Sequence, residues 1–264
     1  MKQTRSIVSL GALIVCLAGV APRVWTQTQT PGQSSVLYRL ELLQAAPGRL
    51  LDLIEACKKR AALAAAAGDA FPVIMRHSQG DHWDLALMWP MGDWASYHDA
   101  ASVARREASV KAAGLAPADF DRQLDPLVAW HEDLYVRGPL VETLRAHVKD
   151  AGLLHYEMMQ ALPGRRDALI EERRMENAFN RNRGRGETLI FVRETGAAWD
   201  VVTLGAYRNW QQYSESERIT KDTNEAAARK AGFPNADGVG PYMRTLISTH
   251  RDTLGPQILT ERQQ

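Results

Sequence analysis

The chain contains the same segment twice. Residues 41–49 (ELLQAAPGR) recur 116 positions later as residues 157–165 (EMMQALPGR). Further pairs keep this offset without a gap: Trp83 and Trp199, Asp84 and Asp200, Trp94 and Trp210, Tyr97 and Tyr213. Matches that share one register indicate an internal duplication, so we expect two copies of one folding unit. Residues shared by both copies should be scaffold, and positions that differ are the better candidates for function.

The N-terminus has a different character from the rest of the chain. A short charged start containing Lys2 and Arg5 precedes an apolar run at residues 7–20. This pattern predicts a signal peptide over residues 1–26, because the apolar run is short for a membrane span. A retained membrane anchor is the alternative. Residues 27–35 are polar and predict a disordered lead. We therefore expect an exported protein, periplasmic or extracellular, with no stable membrane insertion after cleavage.

Charge and cysteine content exclude some classes of function. The chain has 32 basic and 31 acidic residues, and loss of the signal peptide would leave 29 and 31. A nearly neutral chain has no strong field to attract nucleic acid, so we expect no nucleic-acid partner. Only Cys57 would remain of the two cysteines. An intramolecular disulfide is then excluded, and core packing must hold the fold.

The hydrophobic pattern predicts the same element order in both copies. The first copy reads as a strand at 36–45, a Pro-Gly turn, a helix at 50–67, a hairpin around residues 78–81, a helix from Trp94 and a strand at 127–135. This order, βαββαβ, is the ferredoxin-like unit. We assign the copies to residues 36–139 and 153–257, with a connecting helix at 140–152 and a tail at 258–264.

Each predicted unit is an antiparallel sheet with helices on one face, so its other face also needs cover. Packing the two bare faces together gives an α+β fold: two tandem ferredoxin-like units, sheet to sheet, as an intrachain α+β barrel. The repeated strand–Pro-Gly–helix opening and the Trp-bearing hairpin resemble the dimeric α+β barrel superfamily. That superfamily includes antibiotic-biosynthesis-type monooxygenases, NIPSNAP-like proteins and chlorite dismutase-like haem proteins. The resemblance spans residues 36–256, carries over no catalytic residue and implies at most a cofactor-free, monooxygenase-like oxidation.

Strand alternation then suggests a site. We expect Tyr38, Leu40 and Leu42 to meet the helices. The opposite face of the same strands would point between the sheets, and it carries charged residues in both copies. We therefore predict a polar pocket for a small organic ligand, lined by Arg39, Glu41, His155, Glu157, His77 and Arg193. His131 and His250 on the last strands are further expected partners for these charges.

An ion-paired interface without a cavity is the competing interpretation. Glu41 and Glu157 are equivalent in the two copies, which favours a scaffold role, whereas Arg39 and His155 differ. The alternative function is then a non-enzymatic structural or interaction module. Self-association is left open, and so is catalysis, because no nucleophile or dinucleotide motif is present.

Metal and haem sites have weak support in the sequence. His77, His82 and Asp84 flank one hairpin turn, but two of their counterparts, Arg193 and Ala198, are not metal ligands. We therefore predict neither a metal nor a cofactor. A haem-binding protein is kept as an alternative, with His155 or His131 as the axial ligand.

Two aromatic pairs occupy equivalent helix positions. Trp94 and Tyr97 lie three residues apart on one predicted helix, as do Trp210 and Tyr213 on its counterpart. This spacing places both rings of a pair on one helix face. We expect them to pack into the core against the sheet.

Overall fold

A computed structural model of the protein describes residues 35–258, except residues 121 and 123 and the side chain of residue 119. The predicted signal peptide and all but one residue of the predicted lead lie outside the described residues. Six residues of the predicted tail, 259–264, do so as well. Among the described residues, no helix combines the length and the apolar character needed to cross a bilayer.

The elements follow the predicted βαββαβ order twice. The strands are Val36–Ala45 (β1), Val73–Arg76 (β2), Leu85–Gly92 (β3), Val128–Gly138 (β4), Leu153–Ala161 (β5), Leu189–Gly196 (β6), Val201–Tyr207 (β7) and Ile247–Gly255 (β8). The helices are Leu50–Ala66 (α1), Trp94–Tyr97 (α2), Ala100–Ala112 (α3), Pro117–Phe120 (α4), Val141–Val148 (α5), Arg166–Asn182 (α6), Trp210–Ser214 (α7), Lys221–Lys230 (α8) and Val239–Arg244 (α9).

All eight strands form one antiparallel sheet in the order β2-β3-β1-β4-β6-β7-β5-β8. The two copies join where β4 pairs with β6. The outer strands, β2 and β8, are at opposite ends of this order, yet they approach each other. Isolated bridges join Met75 to Gln257 and Gln79 to Leu254. The sheet therefore curls into a barrel whose two edges are linked by these bridges and not by a continuous ladder.

The concave side of the sheet holds one apolar core that both copies share. Tyr38, Leu40 and Leu42 of β1 lie in it with their counterparts from β5, Leu154, Tyr156 and Met158. All six are at most 1% exposed. Leu144 and Val148 of α5 complete the same core. Burial of each large apolar side chain contributes about 1.5–3 kcal/mol, so this interior supplies much of the stability.

The convex side carries the helices. Helix α1 packs Leu53, Cys57 and Ala61 against β-strand residues that include Leu43 and Leu85. Helix α6 packs in the same way through Leu169, in a cluster with Met159 and Val201. Burial raises the pKa of the Cys57 thiol to about 12, so this thiol stays protonated and unreactive.

The sequence-based assignment of the strand faces is wrong. Tyr38, Leu40 and Leu42 point into the barrel interior, and Arg39 and Glu41 lie on the convex side under α1. Alternation separates the two faces of a strand but does not say which one is inside when both are covered. The enclosed interior of the barrel contains the more apolar of the two sets of strand side chains. The helix-covered face lets long polar side chains reach partners.

The repeated Trp-Asp pair belongs to the scaffold. Asp84 Oδ2 accepts a hydrogen bond from the backbone N–H of Ala45, at 2.8 Å. In the second copy, Asp200 Oδ2 accepts one from the N–H of Ala161, at 2.9 Å. Each aspartate thus satisfies a donor at the end of the first strand of its copy, which explains why both copies have it.

The expected core position of the aromatic pairs is wrong for the tryptophans. Helices α2 and α7 are four and five residues long and contain no buried residue. Trp210 is 48% exposed, and Trp94 Nε1 reaches Glu194 Oε1 at 3.3 Å. These helices are too short to place a full apolar stripe on the sheet, so their aromatic rings lie at its margin.

Candidate functional site

Glu41 is the centre of a polar cluster under α1. Its carboxylate is 3% exposed. Arg39 Nη2 donates to Oε1 at 2.8 Å, Trp89 Nε1 donates to Oε2 at 3.0 Å, and Arg60 Nη1 reaches both oxygens at 3.1–3.2 Å. Arg39 also donates to Asp133 Oδ1 at 2.8 Å. Burial opposes ionisation of Glu41, but Arg60 and Arg39 outweigh it and lower its pKa. Both carboxylate oxygens therefore have close partners.

The second copy has a different set of residues at the equivalent positions. Strand register and the 116-residue offset relate the following pairs: Arg39 and His155, Glu41 and Glu157, Trp89 and Gly205, Asp133 and Asp252, Cys57 and Arg173, Arg60 and Glu176. Only Glu41 and Asp133 have the same residue type at the equivalent position of the second copy, where they are Glu157 and Asp252. The second cluster has gained histidine, arginine and glutamate and has lost a tryptophan.

Glu157 uses its two carboxylate oxygens unequally. Oε2 accepts a hydrogen bond from Thr203 Oγ1 at 2.8 Å and lies 3.5 Å from Arg173 Nη1. Oε1 has only a long contact, 3.5 Å, to Nε2 of His250. Burial would raise the pKa of Glu157, but contact with His250 and the charge of Arg173 lower it to about 2. The carboxylate is thus ionised, and Oε1 keeps unused acceptor capacity.

His155 and Asp252 lie beside Glu157 on neighbouring strands. His155 Nε2 is 3.0 Å from Asp252 Oδ1. Burial opposes protonation of His155, but the hydrogen bond to Asp252 and the charge of Glu157 outweigh it, so the pKa of His155 rises. One ring nitrogen of His155 and one carboxylate oxygen each from Glu157 and Asp252 lie within 4.8 Å of one another. Such a group can hold a proton or a cation.

His250 is the least satisfied polar side chain of this cluster. Its side chain is 7% exposed, and its Nε2 has no hydrogen-bond partner. Its Nδ1 has a long contact, 3.4 Å, to Asp252 Oδ2. A buried polar group without a partner costs about 1–3 kcal/mol. The sequence predicted His250 as a partner for the strand charges, and the observed contact is too long for a hydrogen bond.

Carboxylates outnumber arginines in the second cluster. Arg173 donates to both oxygens of Glu172, at 2.6 and 2.8 Å, and forms an ion pair with Glu176. Burial and the nearby charges of Glu157 and Glu172 raise the pKa of Glu176, although Arg173 opposes this. Most of the charge of Arg173 is therefore used by its own helix. Its contact with Glu157 on the sheet is longer, at 3.5 Å.

Aromatic rings from α7 and β7 lie at the margin of the second cluster. The ring of Tyr213 is 5.8 Å from that of His155 and 5.1 Å from that of Tyr207, edge to face in both cases. Trp210 lies 6.0 Å from Tyr213. A Cβ at Gly205 would approach the Tyr207 ring to 3.1 Å. The missing side chain at position 205 thus makes room for these rings, where the first copy has Trp89.

The six residues predicted to line one pocket lie in four separate places. Arg39 and Glu41 belong to the first cluster, and His155 and Glu157 to the second. His77 packs against Trp83, 6.0 Å between ring centres, and Arg193 donates to Asp200 Oδ1 at 2.6 Å. The pocket predicted between the sheets is wrong as a location. Apolar side chains of both copies occupy that space.

Sequence reasoning missed Asp252, Arg173 and Glu176. Asp252 lies two residues after His250, so alternation along β8 places it on the same face. That signal was present in the sequence. The helix residues gave no such signal, because their contact with the sheet depends on how α6 packs.

The residues present do not fit haem. Two concavities among the described residues, of about 530 and 130 Å³, lie beside α1 and include Ser109 and Arg60, respectively, in their walls. Neither wall contains histidine, cysteine, tyrosine or methionine, which are the usual axial ligands. Neither concavity is lined by His155 or by the exposed His131.

Comparisons with known proteins give similarity in structure only. No protein-family model matches the sequence, and no curated protein matches it significantly. An anthrone oxidase-like protein matches with a TM-score of 0.54 and 10% identity, over 85% of this chain and 92% of its own. A candidate monooxygenase from Lactobacillus acidophilus matches with a TM-score of 0.48 and 8% identity, over 85% of this chain and 94% of its own. A haem-binding protein from Thermus thermophilus matches with a TM-score of 0.43 and 11% identity, over 86% of this chain and 93% of its own.

The similarity to the anthrone oxidase-like structure shows that the two proteins share a fold. Their sequence identity is too low to show a shared function. The similarity agrees with the curled antiparallel sheet and with the convex helices of both copies. The chain therefore has the dimeric α+β barrel fold, with both ferredoxin-like units in one polypeptide.

Proposed function

We propose that the protein is exported and binds a small organic ligand at its second repeat. The site is the polar cluster of His155, Glu157, His250 and Asp252 under α6, which we call the second-repeat cluster. One observation carries the proposal: buried Nε2 of His250 has no hydrogen-bond partner. At the equivalent level of the first repeat, Glu41 has close partners on both oxygens. A satisfied network is typical of scaffold, and an unsatisfied one is typical of a binding site.

The chemistry of the cluster favours one class of ligand. Glu157 Oε1 and the carboxylate of Asp252 are acceptors, so a hydroxyl or amine donor would complement them. Tyr213 and the half-exposed Trp210 offer flat apolar surface beside these acceptors. Aromatic contacts of this kind contribute about 0.5–1.5 kcal/mol each. Small phenols and aromatic amines therefore suit the cluster best.

A thermal-shift screen tests this proposal. Metal-free protein is heated with a panel of small phenols and aromatic amines, and the shift in Tm is measured. A ligand at about 100 times its Kd stabilises by about 2.7 kcal/mol, which is a shift on the order of 5–10 °C at this chain length.

Two matched variants locate the binding. Asp252→Asn should abolish the shift, and Asp133→Asn, at the equivalent position of the first repeat, should leave it unchanged. A panel without any stabilising compound contradicts the proposal. Equal loss in both variants contradicts its location.

Export is the second part of the proposal, and it is supported by the charged start and apolar run of residues 1–26. The full chain is expressed with its own N-terminus, and the N-terminal residue of the secreted or periplasmic product is determined. We expect a product that starts after the apolar run. Protein that keeps Met1 and stays with the membrane would support the retained anchor.

A structural module without a ligand site is the second candidate. It is favoured by the barrel interior, in which apolar side chains of both repeats pack together. On that view the whole panel leaves Tm unchanged, and the second-repeat cluster is a strained remnant of the duplication. The same screen therefore separates the two candidates.

A further inference from the structure

We infer that the second-repeat cluster binds a divalent transition-metal cation, with His155, Glu157 and Asp252 as its ligands and His250 as a positioning residue. The inference rests on the proposed function for the location of the site. It goes further in naming a cation as a ligand. It also departs from the sequence-based prediction, which contained no metal.

The first argument is the spacing of the donor atoms. One ligand atom from each of His155, Glu157 and Asp252 lies within 4.8 Å of the other two. The His155 Nε2 to Asp252 Oδ1 distance is 3.0 Å. Ligands about 2.1 Å from a tetrahedral metal are about 3.4 Å apart. A cation can thus be accommodated with small side-chain movements.

The second argument is the availability of electron pairs. Oε1 of Glu157 has no hydrogen bond, because Thr203 and Arg173 both approach Oε2. Strand geometry holds the donors in place: His155 and Glu157 are two residues apart on one face of β5, and Asp252 pairs with Glu157 in register on β8. The backbone ladder therefore fixes all three donors on one surface before any cation binds.

The third argument is the position of a buried histidine beside the carboxylates. His250 is more than nine-tenths buried, and its Nε2 points to Glu157 Oε1 from 3.5 Å without a hydrogen bond. Its Nδ1 lies 3.4 Å from Asp252 Oδ2. His250 therefore touches two of the three ligands. Once those carboxylates turn to a cation, an imidazole between them can donate to one and orient it.

Charge balance gives a fourth argument. Glu157, Glu172 and Glu176 all lie next to the guanidinium of Arg173, which is bonded to Glu172 and Glu176. Closely spaced carboxylates in a buried site repel one another. A divalent cation at Glu157 and Asp252 would remove this repulsion.

The donor set also selects the type of cation. An imidazole nitrogen with two carboxylates suits Zn²⁺, Co²⁺ or Mn²⁺, whereas Ca²⁺ and Mg²⁺ prefer oxygen donors throughout. The first repeat lacks such a set. Arginine replaces His155 there, and it donates to both acidic residues, Glu41 and Asp133.

Metal titration of untagged, EDTA-treated protein tests the inference. Zn²⁺ is titrated by calorimetry, and Co²⁺ by its visible absorption, with Mg²⁺ as the comparison. We expect one Co²⁺ or Zn²⁺ per chain and little response to Mg²⁺. His155→Gln and Asp252→Asn should each weaken Zn²⁺ binding at least tenfold, and His250→Gln should weaken it less.

The matched control is again Asp133→Asn in the first repeat, which should bind Zn²⁺ as the wild type does. Absence of Zn²⁺ and Co²⁺ binding overturns the inference, and so does equal weakening by Asp133→Asn and Asp252→Asn. Circular dichroism of each variant confirms that it is folded. If phenols or amines stabilise metal-free protein while Zn²⁺ does not bind, the cation is wrong and the proposed function stands. If Zn²⁺ binds and no organic compound does, the reverse holds.

Discussion

The helix-covered faces of the two repeats have equivalent strand pairing but differ in how fully their polar side chains are hydrogen-bonded. Under α1, Glu41 is enclosed by Arg39, Arg60 and Trp89, which satisfy both of its oxygens. Under α6, Oε1 of the equivalent Glu157 accepts no hydrogen bond and lies 3.5 Å from Nε2 of the buried His250, which has no hydrogen-bond partner either. Duplication produced two similar frames, and a few substitutions left one face satisfied and the other open. The open face is therefore the better candidate for function.

Loss of the main cation in the first repeat should give the largest effect. Arg60→Met leaves the Glu41 carboxylate buried with weaker pairing, which typically costs about 3–5 kcal/mol. Chemical denaturation measures the loss. Arg49→Met is the control, because its exposed pair with Asp52 should contribute less than about 1 kcal/mol. If the two variants have equal stability, the first cluster is not the tight network described.

A side chain at position 205 tests the open face directly. Gly205→Ala places a Cβ 3.1 Å from the Tyr207 ring and 3.5 Å from the His155 Cβ. Crowding of this kind costs about 1–3 kcal/mol. It should also weaken Zn²⁺ binding, because a shifted Tyr207 ring pushes on Tyr213, which packs against His155. A variant with unchanged stability and unchanged Zn²⁺ affinity would show that the space at Gly205 is irrelevant.

Acid should destabilise the first repeat through Glu41. Because its folded pKa lies below the ordinary value of 4.5, ionised Glu41 contributes stability above that pH. The contribution disappears as the pH falls from 4.5 through the folded pKa. Denaturation midpoints at pH 7, 4 and 3 measure the decline, which should be shallower in Glu41→Gln. Parallel pH curves for the two proteins would contradict the pairing.

Trp210→Ala should have the smallest effect on stability, under about 1 kcal/mol, because half of the side chain is already exposed to water. Its effect on organic ligands should be larger, since the ring flanks the second-repeat cluster. Tm is measured with and without the best phenol from the screen. A loss of several kcal/mol in the stability of the ligand-free protein would show that Trp210 belongs to the core.

Much of the fold followed from the sequence because its signals are local. The repeated turn after the first strand of each copy, the alternation along β1 and β5 and the helical spacing after residue 50 predicted the element order. The sequence did not show which face of each strand points into the barrel, because both faces are buried. Of the residues predicted for the site, His155 and Glu157 lie in one cluster, whereas His77 and Arg193 lie elsewhere.

The sequence by itself determined that two ferredoxin-like copies exist, because repetition and periodicity are properties of the chain alone. Tertiary structure alone decided which strand face is sealed and which side chains meet Glu157. Asp252 and Arg173 reach it from another strand and from a helix, and such contacts depend on register and packing. Those long-range contacts leave Nε2 of His250 without a hydrogen-bond partner, and they make the second repeat the place to look for a ligand.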